Sequence, residues 1–434
     1  MISTKPFYLC FVFLILNLIT VAQSTKSKKK LNVRTQRSEL IYDNIDYISS
    51  IKTVKLHPLE EEAGFPIITK DKNEYLTITF DDIRADIRSL YFSVELCNAD
   101  WTPSRVPVMD YLAGYTEDRI NAIQSSQNTK IAYTHYSFTF PNDNIKPKIA
   151  GNYLLKVYED ADQTRLIFSR KVYVVNNLAT LDVQLLPSLQ TSKKQKNQKL
   201  NIVVNSTYEI SNPRTNLQIH AFQNQRTDNF KILGEPAQIT TQTISFNLPN
   251  TLDFEGNNEF RNVDLRSIRS ASSHVKNIVH DTAIYVVLAV DDKRKLSNYM
   301  WNPDENGRFF IRNLDFEEAN LQSEYIYTLF SLKDSANIKG DIYLVGGFNN
   351  FKTSAENKLT YNPTNKVWET TQLLKQGIYN YEYILKNGDK ISTDVYSGSF
   401  FETENEYQIL VYYRKPGTFW DEIIAYKNIN KTKH

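Results

Sequence analysis

The sequence is poor in cysteine, with only Cys10 and Cys97 among its 434 residues. Cys10 lies in an apolar run over residues 7–21 that follows Lys5. A basic residue, a short apolar run and small residues up to Ala22 are typical of a secretory signal peptide. We therefore expect residues 1–22 to be a signal peptide that is cleaved after Ala22. The mature chain would keep one cysteine, which excludes an internal disulfide and a zinc site built on thiolates.

Long apolar runs and an excess of one charge are absent as well. After residue 22 no run reaches the roughly 18 apolar residues of a membrane-spanning helix, so we expect no transmembrane helix in the mature chain. Lys and Arg total 51 and Asp and Glu total 49, for a net charge of +2. Because nucleic-acid-binding proteins usually carry a strongly basic surface, we expect no nucleic-acid partner. Residues 23–44 are polar and are predicted to form a tail. Together these features predict an exported protein.

The motifs that carry catalysis or hold cofactors are missing. The sequence contains no G-x-G-x-x-G or G-x-x-x-x-G-K-[ST] loop, no G-x-S-x-G elbow and no H-E-x-x-H pair. Its six histidines form no ligand pair, and strand alternation turns His135 toward solvent or a neighbouring sheet. Neighbouring acids, which are normally solvated, occur at 81–82, 291–292 and 317–318. We predict no catalytic residues, no cofactor, no metal site and no enzymatic activity.

The sequence is rich in aromatic residues, with 27 Tyr and 23 Phe, which favour pleated, half-buried strands. Apolar residues alternate along several segments, for example at Leu76, Ile78 and Phe80. Such segments, separated by turn residues, predict an all-β protein of tandem immunoglobulin-like β-sandwich domains. We place an N-terminal sandwich at 45–177, a middle sandwich at 178–320 and a C-terminal sandwich at 321–428, with residues 406–414 as its last strand.

A set of short blocks carries a family resemblance. They are LCNADWTPS at 96–104, DYLAGY at 110–115, QNT at 127–129, YTHY at 133–136, FPN at 140–142, AGNY at 150–153, GNNEFR at 256–261 and DENGRF at 304–309. In this order they resemble the plug protein family of the type IX secretion system of Bacteroidota, over about residues 40–425.

The resemblance implies a function without chemistry. Members of this family are exported to the periplasm and cap the periplasmic mouth of the large outer-membrane translocon β-barrel, of the SprA/Sov type. The implied function is a plug that docks on this barrel and seals it when idle. The family has no assigned catalytic chemistry and needs no cofactor.

The blocks also supply candidate partner-binding residues, namely Trp101, Tyr111 and Tyr115. An alternative for Trp101 is an anchor in the core or between sheets. The residues Glu259, Arg261, Asp264 and Arg266 alternate in charge, and we interpret them as an internal network of ion pairs rather than a docking surface.

The C-terminal sandwich is similar to early-set immunoglobulin-like modules that bind glycogen and starch. The similarity rests on VGGFNNF at 345–351, Trp368, GIYNYEY at 377–383 and the Asn387–Gly388 turn. It leaves a second function open: a periplasmic or surface glycan-binding protein that uses Phe351 and Trp368. Phe351 stands where the usual motif carries tryptophan, which makes a glycan partner doubtful. An exposed, coplanar pair formed by these two rings would favour it.

Overall fold

Nearly all ordered elements of the chain are β-strands. The computed structural model describes residues 34–294 and 298–431, so the predicted signal peptide at 1–22 lies outside the described residues. Within them, the predicted all-β fold of β-sandwiches is confirmed. The only α-helices among these residues are three single turns: α1 (Val108–Tyr111), α2 (Pro213–Asn216) and α3 (Ala319–Gln322). Residues from Arg37 onward form one compact unit.

The strands fall into three groups along the chain. The first group is β1 (Ile45–Asp46), β2 (Ile51–Pro58), β3 (Ile67–Thr69), β4 (Leu76–Asp82), β5 (Leu90–Cys97), β6 (Leu112–Gly114), β7 (Asp118–Arg119), β8 (Ala122–Ser125), β9 (Thr134–Phe140), β10 (Ile145–Pro147), β11 (Gly151–Glu159) and β12 (Leu166–Val175). The second is β13 (Thr180–Pro187), β14 (Asn197–Asn205), β15 (Leu217–Gln223), β16 (Phe230–Leu233), β17 (Gln238–Ile239), β18 (Thr243–Phe246), β19 (Asp253–Glu255), β20 (Arg261–Asp264), β21 (Val275–His280), β22 (Ile284–Leu288), β23 (Asp291–Asp292) and β24 (Phe309–Ile311). The third is β25 (Tyr325–Lys333), β26 (Asp341–Val345), β27 (Thr360–Asn362), β28 (Val367–Lys375), β29 (Gly377–Asn387), β30 (Lys390–Ser392), β31 (Glu406–Tyr413) and β32 (Glu422–Asn430).

One ten-stranded sheet runs through two of the sandwiches. Its order is β16-β15-β31-β32-β12-β11-β5-β7, and β1 and β3 also pair with β12. Its two halves join where β12 and β32 pair in parallel at Val175 and Ile423. The first sandwich packs this sheet against β2-β4-β9-β8, and the middle sandwich packs it against β13-β14-β18-β17. The first and middle sandwiches therefore share a continuous hydrogen-bonded backbone.

The alternating apolar residues account for the core of the first sandwich. Leu76, Ile78 and Phe80 on β4 are fully buried and pack in one cluster with Tyr153 and Leu155 of β11. Because successive side chains of a strand point to opposite faces, this alternation places one face of β4 against the ten-stranded sheet.

The C-terminal sandwich consists of two sheets that enclose a third core. One sheet is centred on β29, which pairs with β20, β24, β26 and β30, and the other has the order β21-β22-β25-β28-β27. Tyr379, Tyr381 and Tyr383 of β29 are buried in this core. Because these three tyrosines alternate along β29, they share one face of the strand, and that face points inward.

Strand pairing differs from the sequence expectation at two places. The predicted last strand of the C-terminal sandwich, β31, pairs instead with β15 and β32. Its residues Tyr407, Ile409 and Val411 fill the core of the middle sandwich. Conversely, β20–β24, expected in the middle sandwich, belong to the C-terminal sandwich: β20 and β24 pair with β29, and β22 and β23 pair with β25. Apolar alternation indicates a strand and its buried face, but it carries no information about which distant strand lies beside it.

Candidate functional site

The first and C-terminal sandwiches meet at a buried carboxylate, Asp81, near the end of β4. It accepts hydrogen bonds from His135 Nδ1 at 2.6 Å, from the Tyr325 hydroxyl at 2.7 Å and from Lys375 Nζ at 2.6 Å. His135 lies on β9 of the same sandwich, whereas Tyr325 and Lys375 lie on β25 and β28 of the C-terminal sandwich. Strand alternation predicts that His135 points toward solvent or a neighbouring sheet. In the structure its side chain is buried and faces the neighbouring sheet.

The protonation of this group follows from burial and charge together. Burial alone would raise the pKa of Asp81, but the charge of Lys375 and the contact with His135 lower it. Burial lowers the pKa of Lys375, and the opposite charge of Asp81 counteracts this effect. The pKa of Tyr325 is raised by burial and by Asp81, so its hydroxyl keeps its proton and donates. The group joins the two sandwiches as a charge pair with all its donors engaged.

Two further ion pairs link the middle and C-terminal sandwiches. Arg226, which follows β15, is buried and binds Glu382 of β29 at 2.5 Å. In the other direction, Arg308 before β24 binds Glu406 of β31 through both of its terminal nitrogens, at 2.7 and 2.8 Å. Although burial would lower the pKa of Arg226, the neighbouring carboxylates of Glu382 and Asp228 raise it. Both contacts cross the junction, and the two-point contact of Arg308 with Glu406 adds geometric specificity.

A cavity of about 170 Å³ lies where the three sandwiches meet. Lys55, Arg226, Arg308 and Phe351 are among the residues that line it. Its cations are already paired, for example Lys55 with Glu62. The cavity is smaller than the about 300–1,000 Å³ of usual ligand pockets, and in the described part of the chain no cluster of His, Cys, Asp or Glu could hold a metal ion. Nothing in its lining indicates a cofactor.

The three predicted partner-binding residues lie in different environments in the structure. Trp101 has a left-handed backbone (φ 67°), is half-buried, and packs edge-on against Tyr173 at 5.5 Å with the Lys171 ammonium 4.9 Å from its ring. Tyr111 on α1 is only 7% exposed and packs in the core of the first sandwich. Tyr115 is 68% exposed. Of the three, only Tyr115 presents a largely accessible side chain to a partner.

The predicted glycan-binding residues form no exposed pair. Phe351 is only 8% exposed, and the Arg226 guanidinium lies 4.3 Å from its ring centre. Trp368 donates its indole N–H to the carbonyl of Ser335 at 3.0 Å and packs against Tyr361. Because Phe351 supports the junction of the sandwiches, it is not available to stack on a sugar ring.

Several acids expected in solvent are buried. Asp82 is fully buried beside Arg84. Asp291 accepts hydrogen bonds from the hydroxyls of Tyr381 and Tyr383, each at 2.9 Å, and pairs with Arg261 at 2.9 Å. The expectation that these neighbouring acids are solvated is therefore wrong for Asp81, Asp82 and Asp291. Distant strands bring donors to Asp81 and Asp291, whereas Asp82 accepts from Arg84, two residues further along the chain.

Sequence reasoning did not find the junction residues or some exposed apolar side chains. Met109 on α1 and Phe419 in the loop before β32 are each more than two-thirds exposed. The sequence does not identify them as exposed, because an isolated apolar residue outside a strand is as compatible with a buried position as with an exposed one. Asp81 and Lys375 are 294 residues apart in the chain, and no local pattern relates them.

Comparisons with known proteins agree with this architecture. Residues 51–176 match the family model of the type 9 secretion system plug protein 1st domain, inside the predicted first sandwich at 45–177. The chain is similar, with 29% sequence identity and a TM-score of 0.86, to a hypothetical protein from Parabacteroides merdae ATCC 43184 known from a crystal structure. The match covers 91% of this chain and 100% of the other. No curated protein matches the chain.

The matched family consists of secretion components and is not a family of enzymes. In the part of the chain that the structure describes, no helix combines the length and hydropathy needed to span a bilayer. The resemblance seen in the sequence is confirmed over the first sandwich: residues 51–176 form a first domain of the type IX secretion system plug protein family.

Proposed function

We propose that the protein is a periplasmic plug that docks on the outer-membrane translocon barrel of the type IX secretion system and occludes its periplasmic mouth while the barrel is idle. The match of residues 51–176 to the plug protein first domain carries this proposal. That match supports a part in type IX secretion, and the docking on the barrel is the further step proposed here.

The architecture of the protein is suited to blocking a channel by filling it. A stopper in a wide aqueous channel has to keep its shape against solvent and thermal motion, and interfaces between domains are often small and permit motion. Here the first and middle sandwiches share one sheet, and buried ion pairs at Asp81 and Arg226 attach the C-terminal sandwich to both. These contacts support a single stiff body.

Outer-membrane permeability tests the proposal. In the source bacterium, deletion of the gene is expected to increase uptake of bulky antibiotics that the outer membrane normally excludes. The increase should vanish when the barrel gene is also deleted, because an open barrel is the leak. Reintroduction of the wild-type gene should restore exclusion. Unchanged permeability after deletion, or a leak that persists without the barrel, would contradict the proposal.

Localisation gives an independent measurement. The mature protein should fractionate with the periplasm in the absence of the barrel and with the outer membrane in its presence. Purification of the barrel in mild detergent should recover the plug in stoichiometric amount. Recovery of the protein in the cytoplasm would contradict both the predicted signal peptide and the proposed site of action.

A further inference from the structure

The ten-stranded sheet ends in a strand whose outer edge is open. β16 pairs with β15 on one side, and no other strand of the described residues pairs with it. Hydrogen-bonded and non-hydrogen-bonded residue pairs alternate in an antiparallel ladder. The Gln223 amide donates to the carbonyl of Asn229, so these two residues form a hydrogen-bonded pair. By the alternation, Phe230 and Ile232 lie in non-hydrogen-bonded pairs, and their amide and carbonyl groups point outward, away from β15.

The side chains of this edge are apolar and accessible. Phe230 is 41% exposed and Ile232 is 53% exposed, and both point to the same face of the sheet because they lie two residues apart. Phe230 stacks on Phe222 at 5.3 Å, so the pair continues an aromatic row of the sheet. Large apolar side chains on an unpaired edge are a feature that soluble proteins usually avoid.

The usual protections of a sheet edge are missing from β16. The strand contains no proline, and its pairing with β15 runs without a bulge. Its only charged side chain, Lys231, points to the opposite face, where its ammonium lies 5.2 Å from the ring centre of Phe254. No charge on β16 therefore opposes the approach of another strand along the Phe230 face.

A groove continues from the end of this strand. β15 pairs with β31 from Leu217 onward, but β16 covers it only from Ile219. The uncovered residues Leu217 and Gln218 line a groove of about 880 Å³ together with Gly234 and the loop that carries Asp100. This volume lies in the usual range for ligand sites, and Gly234 has no neighbouring atom within 4 Å of the position of an added Cβ.

Four charged side chains that line the groove, those of Asp100, Arg214, Arg414 and Asp421, are already engaged within the chain. Arg414 pairs with Asp421 at 2.7 Å, Asp100 accepts from Thr102, and Arg214 donates to the carbonyl of Pro236. A small charged ligand would have to break these contacts. An extended peptide would instead use the free main-chain groups of the edge and the two apolar side chains.

We propose that the open edge of β16 and the adjoining groove form a strand-addition site that binds an extended peptide segment of a partner protein with alternating apolar residues. Main-chain hydrogen bonds would supply affinity, and contacts with Phe230 and Ile232 would favour peptides whose apolar residues alternate. This site goes beyond the proposed occlusion, since it would hold a peptide whether or not the protein closes a barrel.

Hydrogen exchange on the full mature chain tests the site. The probe is a capped octapeptide in which threonine and valine alternate between two terminal lysines. Its control is the same peptide with alternate amides N-methylated, which removes the donors of one edge. We expect saturable protection of the Phe230 and Ile232 amides by the first peptide and none by the second.

Matched substitutions show whether the apolar face contributes. Ile232→Lys should weaken binding of the octapeptide roughly tenfold. Ile391→Lys changes an isoleucine of similar exposure, 43%, on β30 of the C-terminal sandwich and should leave binding unchanged. Circular dichroism verifies that both variants are folded.

Three results would overturn the proposal. They are the absence of protection up to millimolar peptide, equal binding of both peptides, and protection of these two amides in the free protein that depends on protein concentration. The last result would assign the edge to a second copy of this chain. Since none of these measurements involves permeability, their failure is distinct from failure of the plug function.

Discussion

Lys375 Nζ lies 2.6 Å from Oδ2 of Asp81, and the two side chains are buried between different sandwiches. Breaking a buried ion pair at one end leaves an uncompensated charge in a low-dielectric environment, which is more costly than losing an exposed pair. The stability of the whole body depends on this contact more than on its many surface pairs.

Lys375→Met is therefore expected to lower the free energy of unfolding by about 3–5 kcal/mol, measured by urea titration. Lys358→Met serves as the matched control, because Lys358 pairs with Asp341 on the surface, and it should change the midpoint little. Asp81→Asn combined with Lys375→Met should recover part of the loss. A Lys375→Met midpoint equal to that of the control would show that the pair does not hold the sandwiches together.

Asp304 should make stability depend on pH near neutrality. Burial raises the pKa of its carboxyl from the usual 3.8 to about 7. Between these two values the folded chain holds a proton that the unfolded chain releases, so this residue makes stability fall as pH rises from about 4 to about 7.

Asp304→Asn removes this effect and should be more stable than wild type above pH 7, by roughly 1–3 kcal/mol. Near pH 4 the two proteins should be nearly equal. Thermal unfolding across this pH range measures the difference. A constant gap between the two curves would show that Asp304 does not titrate in this window.

Removal of the C-terminal strands tests their unexpected pairing. Ile409 of β31 is fully buried in the middle sandwich, and Ile409→Ala should cost about 2–5 kcal/mol. A chain that ends at residue 402 should lose hydrogen-exchange protection first in β13, β14 and β15. Loss confined to β25–β29 would instead agree with the sequence expectation that β31 belongs to the C-terminal sandwich.

Tyr111 and Tyr115 should respond differently to substitution. Tyr115→Ser should change stability by less than about 0.5 kcal/mol, because this side chain is exposed, and it should weaken restoration of outer-membrane exclusion if the residue contacts the barrel. Tyr111→Ala should destabilise the first sandwich by about 3 kcal/mol before it affects any partner. Full restoration by Tyr115→Ser would remove this residue from the docking surface.

The strands and their buried faces were predictable from the sequence, whereas their partners were not. Leu76, Ile78 and Phe80 alternate and are buried, because a two-residue period is a local property of the chain. The pairing of Glu406–Tyr413 with β15 depends on contacts almost 200 residues away. Any apolar core accommodates a strand with alternating apolar residues, so the alternation does not identify the neighbouring strand.

The candidate site shows the same limit. Asp81 looks solvated in the sequence, since its donors His135 and Lys375 lie 54 and 294 residues away. Trp101 was identified as either a docking residue or an anchor, and its half-buried position against Tyr173 favours the anchor. The short sequence blocks nevertheless pointed to the family whose first-domain model matches residues 51–176.

The position of β31 and β32 has a consequence for biosynthesis. β31 pairs with β15, yet it follows β15 by almost 200 residues and is synthesised well after it. Until β31 is made, β15 exposes an unpaired edge and the core of the middle sandwich lacks Tyr407, Ile409 and Val411. Because long-range pairing of this kind is slow and leaves intermediates prone to aggregation, the nascent chain exposes apolar surface of the middle sandwich until β31 and β32 are made. The middle sandwich is therefore completed only after the strands of the C-terminal sandwich, β25–β30, have been synthesised.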